Sequence, residues 1–386
     1  MNTFEHPAYS RPEPLPTCTG TVMKLLLLPV FFALGPGAWA DPIQSWQPHW
    51  QAQDSHVTAR LRGISATSDN VVWSSGSDNT VLRSADGGHT WQRLTLPAEM
   101  TNDPLDFRDI DAVDANTAYL LAIGPGSASR IYKTSDAGKT WTRQYLNADP
   151  KGFLDSMTFW DATHGLVIGD AIDGHLQILA TEDGGLNWNR IDDSVLPAAL
   201  PNEGAFSASG SNIAVAGDQD AWIGMGAITR SRLLHTADRG KTWTVTDTPL
   251  ATSESAGIFS VAFRDTLHGV IVGGDYKQEN LAVNNVAITS DGGKTWQLVT
   301  QHGLSGYRSV VKYLPGNRTA WVAIGPRGAD VSIDDGNNWA PVTLPSPLSG
   351  FDTLSFVPGQ NTGYASGDHG SMARLNFGQV QAKPER

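Results

Sequence analysis

Short apolar runs rich in valine, isoleucine and aromatic residues recur along most of the chain, separated by glycine, asparagine, aspartate and serine. Two examples are residues 69–75 (DNVVWSS) and 319–324 (TAWVAI). Residues of these types favour strands, and the polar, glycine-containing segments between them favour turns. The pattern therefore predicts many short strands, and it contains no amphipathic helix that would favour a membrane surface.

An octapeptide with the pattern S/T-x-D-x-G-x-T/N-W occurs six times, with successive tryptophans 43 to 55 residues apart. Two predicted strands precede each copy, and we place the copy in a hairpin between a third and a fourth strand. Four strands in a period of this length are the mark of a β-propeller blade. The copies span residues 84–91, 134–141, 181–188, 236–243, 289–296 and 332–339.

The conserved spacing within each octapeptide predicts a structural role for its aspartate. In a hairpin turn, Asp can accept hydrogen bonds from nearby backbone N–H groups, Gly can adopt a positive φ, and Trp can cover the adjoining sheet. Six catalytic sites in one chain are not credible, so we expect turn-stabilising residues rather than ligands or catalysts. These aspartates are Asp86, Asp136, Asp183, Asp238, Asp291 and Asp334.

The chain continues after the sixth octapeptide with three more strand-like runs, at 351–356, 363–367 and 371–377, but no fourth. Near the other end, residues 45–50 (SWQPHW) are similar to the segment that follows an octapeptide, such as 90–94 (TWQRL). We therefore predict an all-β, seven-bladed β-propeller formed by residues 41–386 as one domain. Its last blade is closed by the N-terminal strand, which removes exposed sheet edges. A six-bladed ring with an extra hairpin is the alternative.

The first forty residues have the pattern of a signal peptide with an extended leader. Lys24 precedes an apolar run over residues 25–34, and Ala38-Trp39-Ala40 provides a small-residue cleavage site after Ala40. The run is shorter than the roughly 20 residues that a membrane-spanning helix needs. We place the true start of translation at Met23 and expect a periplasmic or secreted mature protein without a transmembrane anchor.

Composition narrows the range of functions. The chain has 27 Lys and Arg against 39 Asp and Glu, a formal net charge of −12, so a nucleic-acid groove is not expected. Cys18 is the only cysteine, which excludes an intramolecular disulfide and a cysteine-built zinc site. The sequence contains no H-E-x-x-H, G-x-S-x-G or Walker motif, and we predict no metal, no cofactor and a monomeric chain.

Aligning the predicted innermost strands of the seven blades brings one polar position to each. Innermost strands line the central channel, so these side chains are predicted to converge near one mouth of the channel. Two interpretations are open: a salt network that closes the channel, or a site for an anion or a peptide carboxylate, since Arg offers a bidentate fork. This predicted polar ring consists of Arg62, Arg108, Asp155, Ser207, Ser260, Arg308 and Asp352.

Two connections at the same mouth are longer than their counterparts in other blades, and long loops often carry function. The first covers residues 274–284 and includes Asp275 and Tyr276, and the second covers residues 192–204 and includes Glu203. Asp170 lies on a shorter loop of the same face. We add Asp275 and Tyr276 to the predicted partner-binding residues.

Residues 45–377 resemble the BNR-repeat (Asp-box) propellers related to the photosystem II stability/assembly factor family of plants and cyanobacteria. The resemblance rests on the six octapeptides and on segments such as 61–63 (LRG), 106–110 (DFRDI) and 306–309 (GYRS). It implies a seven-bladed, non-enzymatic propeller that binds a protein or peptide partner through an arginine-bearing patch. By this resemblance Arg62, Arg108 and Arg308 are the positions expected in that patch.

Asp-box repeats also occur in sialidases and other glycoside hydrolases, which defines the alternative function and makes carbohydrate the alternative ligand. Tyr276 with Glu203 resembles the nucleophile pair of sialidases, and three arginines accompany it. The F/Y-R-I-P motif that opens sialidases is absent. A plain carboxylate pair, such as Asp170 with Asp275, is a further arrangement for glycoside hydrolysis.

Overall fold

The computed structural model describes residues 47–377. The predicted leader, the start at Met23 and the cleavage after Ala40 lie outside the described residues. Within residues 47–377 the chain forms seven four-stranded antiparallel sheets, a one-turn helix α1 (Ala98–Thr101) and three short 3-10 turns. The predicted seven-bladed β-propeller is confirmed.

Each blade runs from an innermost to an outermost strand. Blades 1 to 3 contain β2 (Leu61–Ala66), β3 (Val72–Gly76), β4 (Thr80–Ser84) and β5 (Gln92–Arg93); β6 (Asp106–Ala112), β7 (Ala118–Ile123), β8 (Arg130–Thr134) and β9 (Thr142–Leu146); and β10 (Leu154–Phe159), β11 (Gly165–Ile172), β12 (His175–Thr181) and β13 (Asn189–Arg190). Blades 4 and 5 contain β14 (Ile213–Ala216), β15 (Asp220–Gly226), β16 (Ser231–Thr236) and β17 (Thr244–Thr248); and β18 (Ala256–Phe263), β19 (Gly269–Asp275), β20 (Val286–Thr289) and β21 (Gln297–Leu298). Blades 6 and 7 contain β22 (Val310–Leu314), β23 (Asn317–Gly325), β24 (Gly328–Ser332) and β25 (Ala340–Val342); and β26 (Thr353–Phe356), β27 (Thr362–Ser366), β28 (Ser371–Asn376) and β1 (His49–Asp54).

The ring is closed by the N-terminal strand, as the sequence predicted. Strand β1 pairs antiparallel with β28, with Trp50 opposite Leu375, and so becomes the outermost strand of blade 7. The innermost strand of blade 1 also contacts blade 7, since the backbone N–H of Leu61 donates at 2.9 Å to the carbonyl of Gly367, which follows β27. These contacts exclude the six-bladed alternative.

The core of the protein lies between blades. Seven clusters of buried apolar side chains each join one pair of neighbouring blades, including blade 7 with blade 1. Trp73, Trp222 and Trp321, each on the second strand of its blade, are fully buried in these clusters. Burying such large side chains against the next sheet supplies the main stabilisation of the ring.

The six octapeptides form the hairpins between the third and fourth strands, where they were predicted. In the first copy the Ser84 hydroxyl donates to Asp86 Oδ1 at 2.9 Å and accepts the N–H of Gly88 at 2.8 Å. Thr90 donates its N–H to Asp86 Oδ1 at 2.9 Å and its hydroxyl to Oδ2 at 2.7 Å. The other five copies repeat these four bonds, with the Asn187 and Asn338 amides replacing the Thr hydroxyl in two of them.

The direction of the strands separates these hairpins from the channel mouth. We define the channel mouth as the end of the channel where the innermost strands begin. Because the strands of each blade alternate in direction, the turns between second and third strands return to the mouth, whereas the turns between third and fourth strands lie at the opposite face. The octapeptide aspartates are therefore remote from any site at the mouth.

Candidate functional site

Four innermost strands have a β-bulge near their start, and in three of them the bulge aims a charged side chain into the channel mouth. The register shifts between Leu61 and Gly63, between Phe107 and Asp109, and between Leu154 and Ser156. The extra residues are Arg62, Arg108 and Asp155. A bulge leaves one residue outside the regular pairing and turns its side chain away from the sheet, which is why bulges are frequent at binding sites.

These residues line a mouth cavity of about 820 Å³, within the size range of ligand sites. Its walls combine charged, aromatic and small residues from the seven blades and their loops. The lining residues are Arg60, Arg62, Arg108, Phe153, Asp155, Asp170, Asn202, Gly204, Ala205, Phe206, Ser207, Ala208, Gly226, Ala227, Ile228, Ser253, Glu254, Phe259, Tyr276, Glu279, Tyr307, Pro326 and Asp352.

The arginines of the mouth cavity differ in the number of hydrogen bonds that they make to protein groups. Arg60 binds Asp352 through two parallel bonds, Nε to Oδ2 at 2.7 Å and a terminal nitrogen to Oδ1 at 2.8 Å. Arg108 donates to Asp106 Oδ2 at 2.9 Å and to the carbonyl of Ser207 at 3.0 Å. Arg62, by contrast, makes no hydrogen bond or ion pair with the described residues. Its guanidinium is therefore available to a ligand.

Arg62 remains a cation at neutral pH despite its surroundings. Burial, and secondarily the neighbouring charge of Arg108, lowers the pKa of Arg62 from 12.5 to about 10. Both effects disfavour the charged form, and the charges of Asp352 and Asp106 oppose them only in part. A ligand anion placed at Arg62 would stabilise the charged form further. Arg62 and Arg108 together form what we call the cationic sector, on blades 1 and 2.

Two carboxyl groups lie on blade 3 beside the cationic sector. Burial, with the nearby charge of Asp170 as a second cause, raises the pKa of Asp155 well above its usual range. Asp155 is only 1% exposed, and its buried Oδ2 has no hydrogen-bond partner among the described residues. Burial raises the pKa of Asp170 to about 6, although the carboxylate accepts the N–H of Ala205 at 3.2 Å. Burial thus disfavours the ionised form of both carboxyl groups.

An aromatic sector, consisting of Phe206, Phe259, Tyr276 and Tyr307, forms the wall on the side of blades 4 to 6. Phe259 stacks on Phe206 with ring centroids 4.3 Å apart and meets Tyr307 edge-on at 4.8 Å. Tyr276 completes the group edge-on to Phe259 at 6.2 Å, with 45% of its surface exposed. In a seven-bladed ring, blade 5 lies across the channel from blades 1 and 2.

The structure brings most of the predicted polar ring together, with two exceptions. Ser260 does not line the mouth cavity, because the bulge of β18 lies between Ile258 and Ser260 and makes Phe259 the extra residue. The sequence alignment was one residue out of register in this blade. Ser260 instead accepts the N–H of Val311 at 3.0 Å inside the channel.

Arg308 is the second exception. It precedes β22, is 1% exposed, and its Nε donates to Asp330 Oδ2 at 2.7 Å. A further nitrogen of its guanidinium donates to the carbonyl of Tyr307 at 2.8 Å. A buried arginine with its donors paired stabilises the blade and is not exposed to a partner. Arg60, which the sequence analysis did not select, lines the mouth cavity, whereas Arg308 does not.

The residues proposed for glycoside hydrolysis do not form the expected pairs. Glu203 is buried in an ion pair with Arg232 and does not line the mouth cavity, whereas Tyr276 does. Asp275 also lies outside the lining residues, and it accepts the N–H of Lys277 at 2.9 Å. Asp170 is therefore associated with Asp155 rather than with Asp275.

Two further findings concern ligands and membranes. Within residues 47–377, no group of three or more His, Cys, Asp or Glu side chains is arranged to hold a metal ion. No helix in that part of the chain is long and apolar enough to cross a membrane.

The fold and its mouth cavity define a seven-bladed β-propeller with a ligand-sized pocket over the channel. A family model described as photosynthesis system II assembly factor YCF48 matches residues 39–151. Over these residues the chain is similar to that family, and the resemblance predicted from its repeats is confirmed.

Solved structures support the same fold. A structure of YCF48 bound to a D1 peptide is similar to this chain with a TM-score of 0.60 and 19% identity, covering 85% of this chain and 97% of that chain. YCF48 from Cyanidioschyzon merolae has a TM-score of 0.62 and 16% identity, covering 85% and 98%. The GH74 xyloglucanase from Xanthomonas campestris has a TM-score of 0.59 and 16% identity, covering 87% of this chain and 55% of that enzyme.

Curated relatives include xyloglucanases, all of them much longer proteins. A xyloglucanase from a Paenibacillus species is 26% identical over 214 residues, which is 46% of this chain and 20% of that enzyme. Xyloglucanase Xgh74A from Acetivibrio thermocellus is 24% identical over 162 residues, 36% of this chain. The chain spans about a fifth of the length of these enzymes.

Proposed function

We propose that the protein is a non-enzymatic binding propeller that captures an extended peptide segment of a partner protein in its mouth cavity. The family match, and a YCF48 structure that contains a D1 peptide, support a peptide or protein partner. On this proposal the chain acts as an assembly factor for an envelope or photosystem-type protein, in the periplasm or outside the cell after cleavage following Ala40.

The unpartnered guanidinium of Arg62 is the observation that carries this proposal. Asp352 and Asp106 act on Arg62 only through their charges. A partly buried guanidinium without a hydrogen-bonded carboxylate is unfavourable in the free protein, and it becomes favourable when a ligand supplies an anion. Arginine binds carboxylates through parallel hydrogen bonds, which gives direction as well as charge. Arg108, which is next to Arg62 in the ring, is placed to hold the same anionic group.

A peptide-binding experiment tests the proposal directly. Random dodecapeptides displayed on phage are selected on the full mature chain, and the consensus peptide is synthesised with a fluorophore for anisotropy measurements. We expect an acidic consensus, and at least tenfold weaker binding to Arg62→Ala, since a charge-assisted hydrogen bond contributes about 1.5–3 kcal/mol.

The matched control is Arg143→Ala, because Arg143 is an exposed arginine on the outermost strand of blade 2. It should bind the peptide as the wild type does. The proposal would be contradicted if the phage selection enriched no peptide, or if Arg62→Ala bound the selected peptide as tightly as wild type.

Glycoside hydrolysis is the second candidate, and the carboxyl pair of blade 3 favours it. Asp155 and Asp170 both line the mouth cavity, and the pKa of each is raised. A general acid in a glycosidase must keep its proton near neutral pH, and hydrolysis uses two carboxyls roughly 5–9.5 Å apart. The likeness to xyloglucanases names the first substrate to test.

Incubation with xyloglucan and with chromogenic β-glycosides distinguishes the two candidates. Reducing ends released by wild type and not by Asp155→Asn would establish hydrolysis at this site. If wild type and Asp155→Asn release the same background amount, the binding function stands alone.

The exported location is tested separately from the ligand. N-terminal sequencing of the protein from the periplasmic fraction or the culture medium is expected to begin at Asp41. Recovery of an uncleaved chain in the cytoplasm would contradict it.

A further inference from the structure

The mouth cavity is divided into two chemically different halves. The cationic sector, Arg62 and Arg108, belongs to blades 1 and 2, and the aromatic sector belongs to blades 4 to 6. The sectors face each other because blade 5 lies across the ring from blades 1 and 2. A ligand that fills the cavity therefore meets both cations and aromatic rings, and the two sectors adjoin where Arg108 donates to the carbonyl of Ser207, next to Phe206, at 3.0 Å.

Exposed apolar surface extends the aromatic sector outward. Eight large apolar side chains are more than a third exposed within residues 47–377, and four of them belong to two loops at this side of the mouth. These four are Ile228 at 52%, Tyr276 at 45%, Leu281 at 43% and Val283 at 50%. Exposure concentrated in one place, beside a pocket, is characteristic of a binding surface.

The two loops are held next to each other by the segment that joins blades 4 and 5. The Thr252 hydroxyl donates to the carbonyl of Ile228 at 3.2 Å, and the N–H of Ala251 donates to the carbonyl of Asn284 at 2.9 Å. Consecutive residues thus bind both loops. One apolar side chain from each loop, Ile228 and Tyr276, lines the mouth cavity.

We infer that the mouth cavity recognises a peptide segment that carries an anionic group at one position and a large apolar side chain a few residues away. The anion binds the cationic sector, and the apolar side chain packs on Tyr276 and the aromatic sector behind it. Aromatic side chains in a pocket are typical anchors of peptide recognition, and an extended chain advances about 3.3 Å per residue. This inference rests on the proposed peptide-binding function and adds the second recognition element.

Charge complementarity selects this occupant over a purely apolar one. An apolar ligand would cover the cavity and leave the Arg62 guanidinium desolvated without a hydrogen-bonded partner, which is unfavourable. An anion without an apolar side chain would leave the aromatic sector in water. Only a segment with both groups satisfies both halves of the cavity.

The test uses the peptide selected on the full chain together with three derivatives. One derivative replaces the acidic residue by Gln, the second replaces the large apolar residue by Ala, and the third carries both changes. We expect each single replacement to weaken binding about tenfold. Each peptide is then measured with wild type, Tyr276→Ala, Arg62→Ala and Leu186→Ala.

The decisive result comes from measuring each altered peptide with each protein variant. The loss caused by removing the apolar side chain should disappear in Tyr276→Ala, and the loss caused by removing the acid should disappear in Arg62→Ala. Tyr276 is exposed, so its replacement leaves the core intact. Leu186, 70% exposed in an octapeptide turn at the opposite face, is the control and should behave as wild type.

The outcomes separate this inference from the function on which it rests. Peptides that bind through Arg62, but tolerate loss of the apolar residue and of Tyr276, would overturn the second recognition element and leave the proposed function standing. Absence of any selected peptide, or binding that does not depend on Arg62, would overturn both.

Discussion

The octapeptide turns and the mouth cavity use the same residue types in opposite ways. In every turn both carboxylate oxygens of the Asp accept hydrogen bonds, as in Asp86 with Thr90 and Ser84. In the mouth cavity, Asp155 keeps an unpartnered Oδ2, and Arg62 makes no bond to the described residues. In the folded protein the turn aspartates have all their hydrogen-bond partners, whereas Asp155 and Arg62 in the mouth cavity do not. The difference distinguishes groups that stabilise the fold from groups available to a ligand.

The carboxyl pKa values also differ between the two regions: they are lowered in the octapeptide turns and raised in the mouth cavity. Hydrogen bonds from Thr90 and Thr140 lower the pKa of Asp86 and of Asp136 to about 2. Burial raises the pKa of Asp170 to about 6. In the turns, donors stabilise the ionised form, whereas in the cavity desolvation destabilises it. The two regions should therefore respond to mutation and to pH in different ways.

The largest effect is expected from the tryptophan of an octapeptide turn. Trp188 is 8% exposed and meets Phe159 edge-on with ring centroids 5.8 Å apart. Trp188→Ala removes a large side chain from between two blades and should lower the free energy of unfolding by about 3–5 kcal/mol. Chemical denaturation measures this loss. Leu186→Ala in the same turn should change it by less than about 0.5 kcal/mol. A Trp188→Ala protein within about 1 kcal/mol of wild type contradicts the assigned packing.

The double variant Arg62→Ala/Arg108→Ala is expected to have the next largest effect, and on binding instead of folding. Loss of two charged contacts should weaken binding of the selected peptide at least about 100-fold, or about 3 kcal/mol. Both side chains are at the cavity surface, so the melting temperature should fall by no more than a few degrees. Unfolding of the double variant would show that these arginines are structural.

The sequence predicted the fold because the relevant signals are local and repeated. The octapeptide fixes the third hairpin of six blades, and the similarity of residues 45–50 to the segment after an octapeptide identified the closing strand. The side-chain partners of a turn such as Asp86 lie within four residues, so the spacing alone determines them.

The sequence predicted the site less completely because its pairings are distant. Arg308 was assigned to the cavity, but its partner Asp330 is 22 residues further along, and Glu203 pairs with Arg232 across 29 residues. Sequence spacing does not reveal such ion pairs. The position of a β-bulge is equally hidden, and this explains why Ser260 was selected in place of Phe259. Arg62 and Arg108 were found because their strands share one bulge position.

A smaller effect, confined to stability, is expected from the hydroxyl of an octapeptide turn. Thr236 is 1% exposed, and its hydroxyl accepts the N–H of Gly240 at 2.8 Å and donates to Asp238 Oδ1 at 2.8 Å. Thr236→Val keeps the shape but leaves a buried donor unpaired, which should cost about 1–3 kcal/mol. Peptide binding should remain unchanged. Thr142→Val, on an exposed strand, is the control and should be near neutral. Weakened peptide binding by Thr236→Val would contradict the separation of the two regions.

The smallest effect is expected from pH, and its sign follows from Asp170. Above about pH 6 Asp170 is ionised and repels an anionic ligand in the same cavity, whereas below that pH it is neutral. Binding of the selected peptide should therefore tighten about fivefold from pH 7.5 to pH 5.5, because one nearby charge contributes about 1 kcal/mol. Asp170→Asn should remove this dependence and bind at pH 7.5 as wild type does at pH 5.5.

Stability changes with pH in opposite directions in the two regions. The folded pKa of Asp170 is raised, so the native state holds its proton more tightly than the unfolded chain, and the free energy of unfolding falls as pH rises through about 4 to 6. The folded pKa values of Asp86 and Asp136 are lowered, so their contribution is present above about pH 4 and is lost as pH falls toward 2. Denaturation curves of wild type and Asp170→Asn between pH 4 and 7.5 should converge at the acid end. Parallel curves across that range would show that the titrating carboxyl is not Asp170.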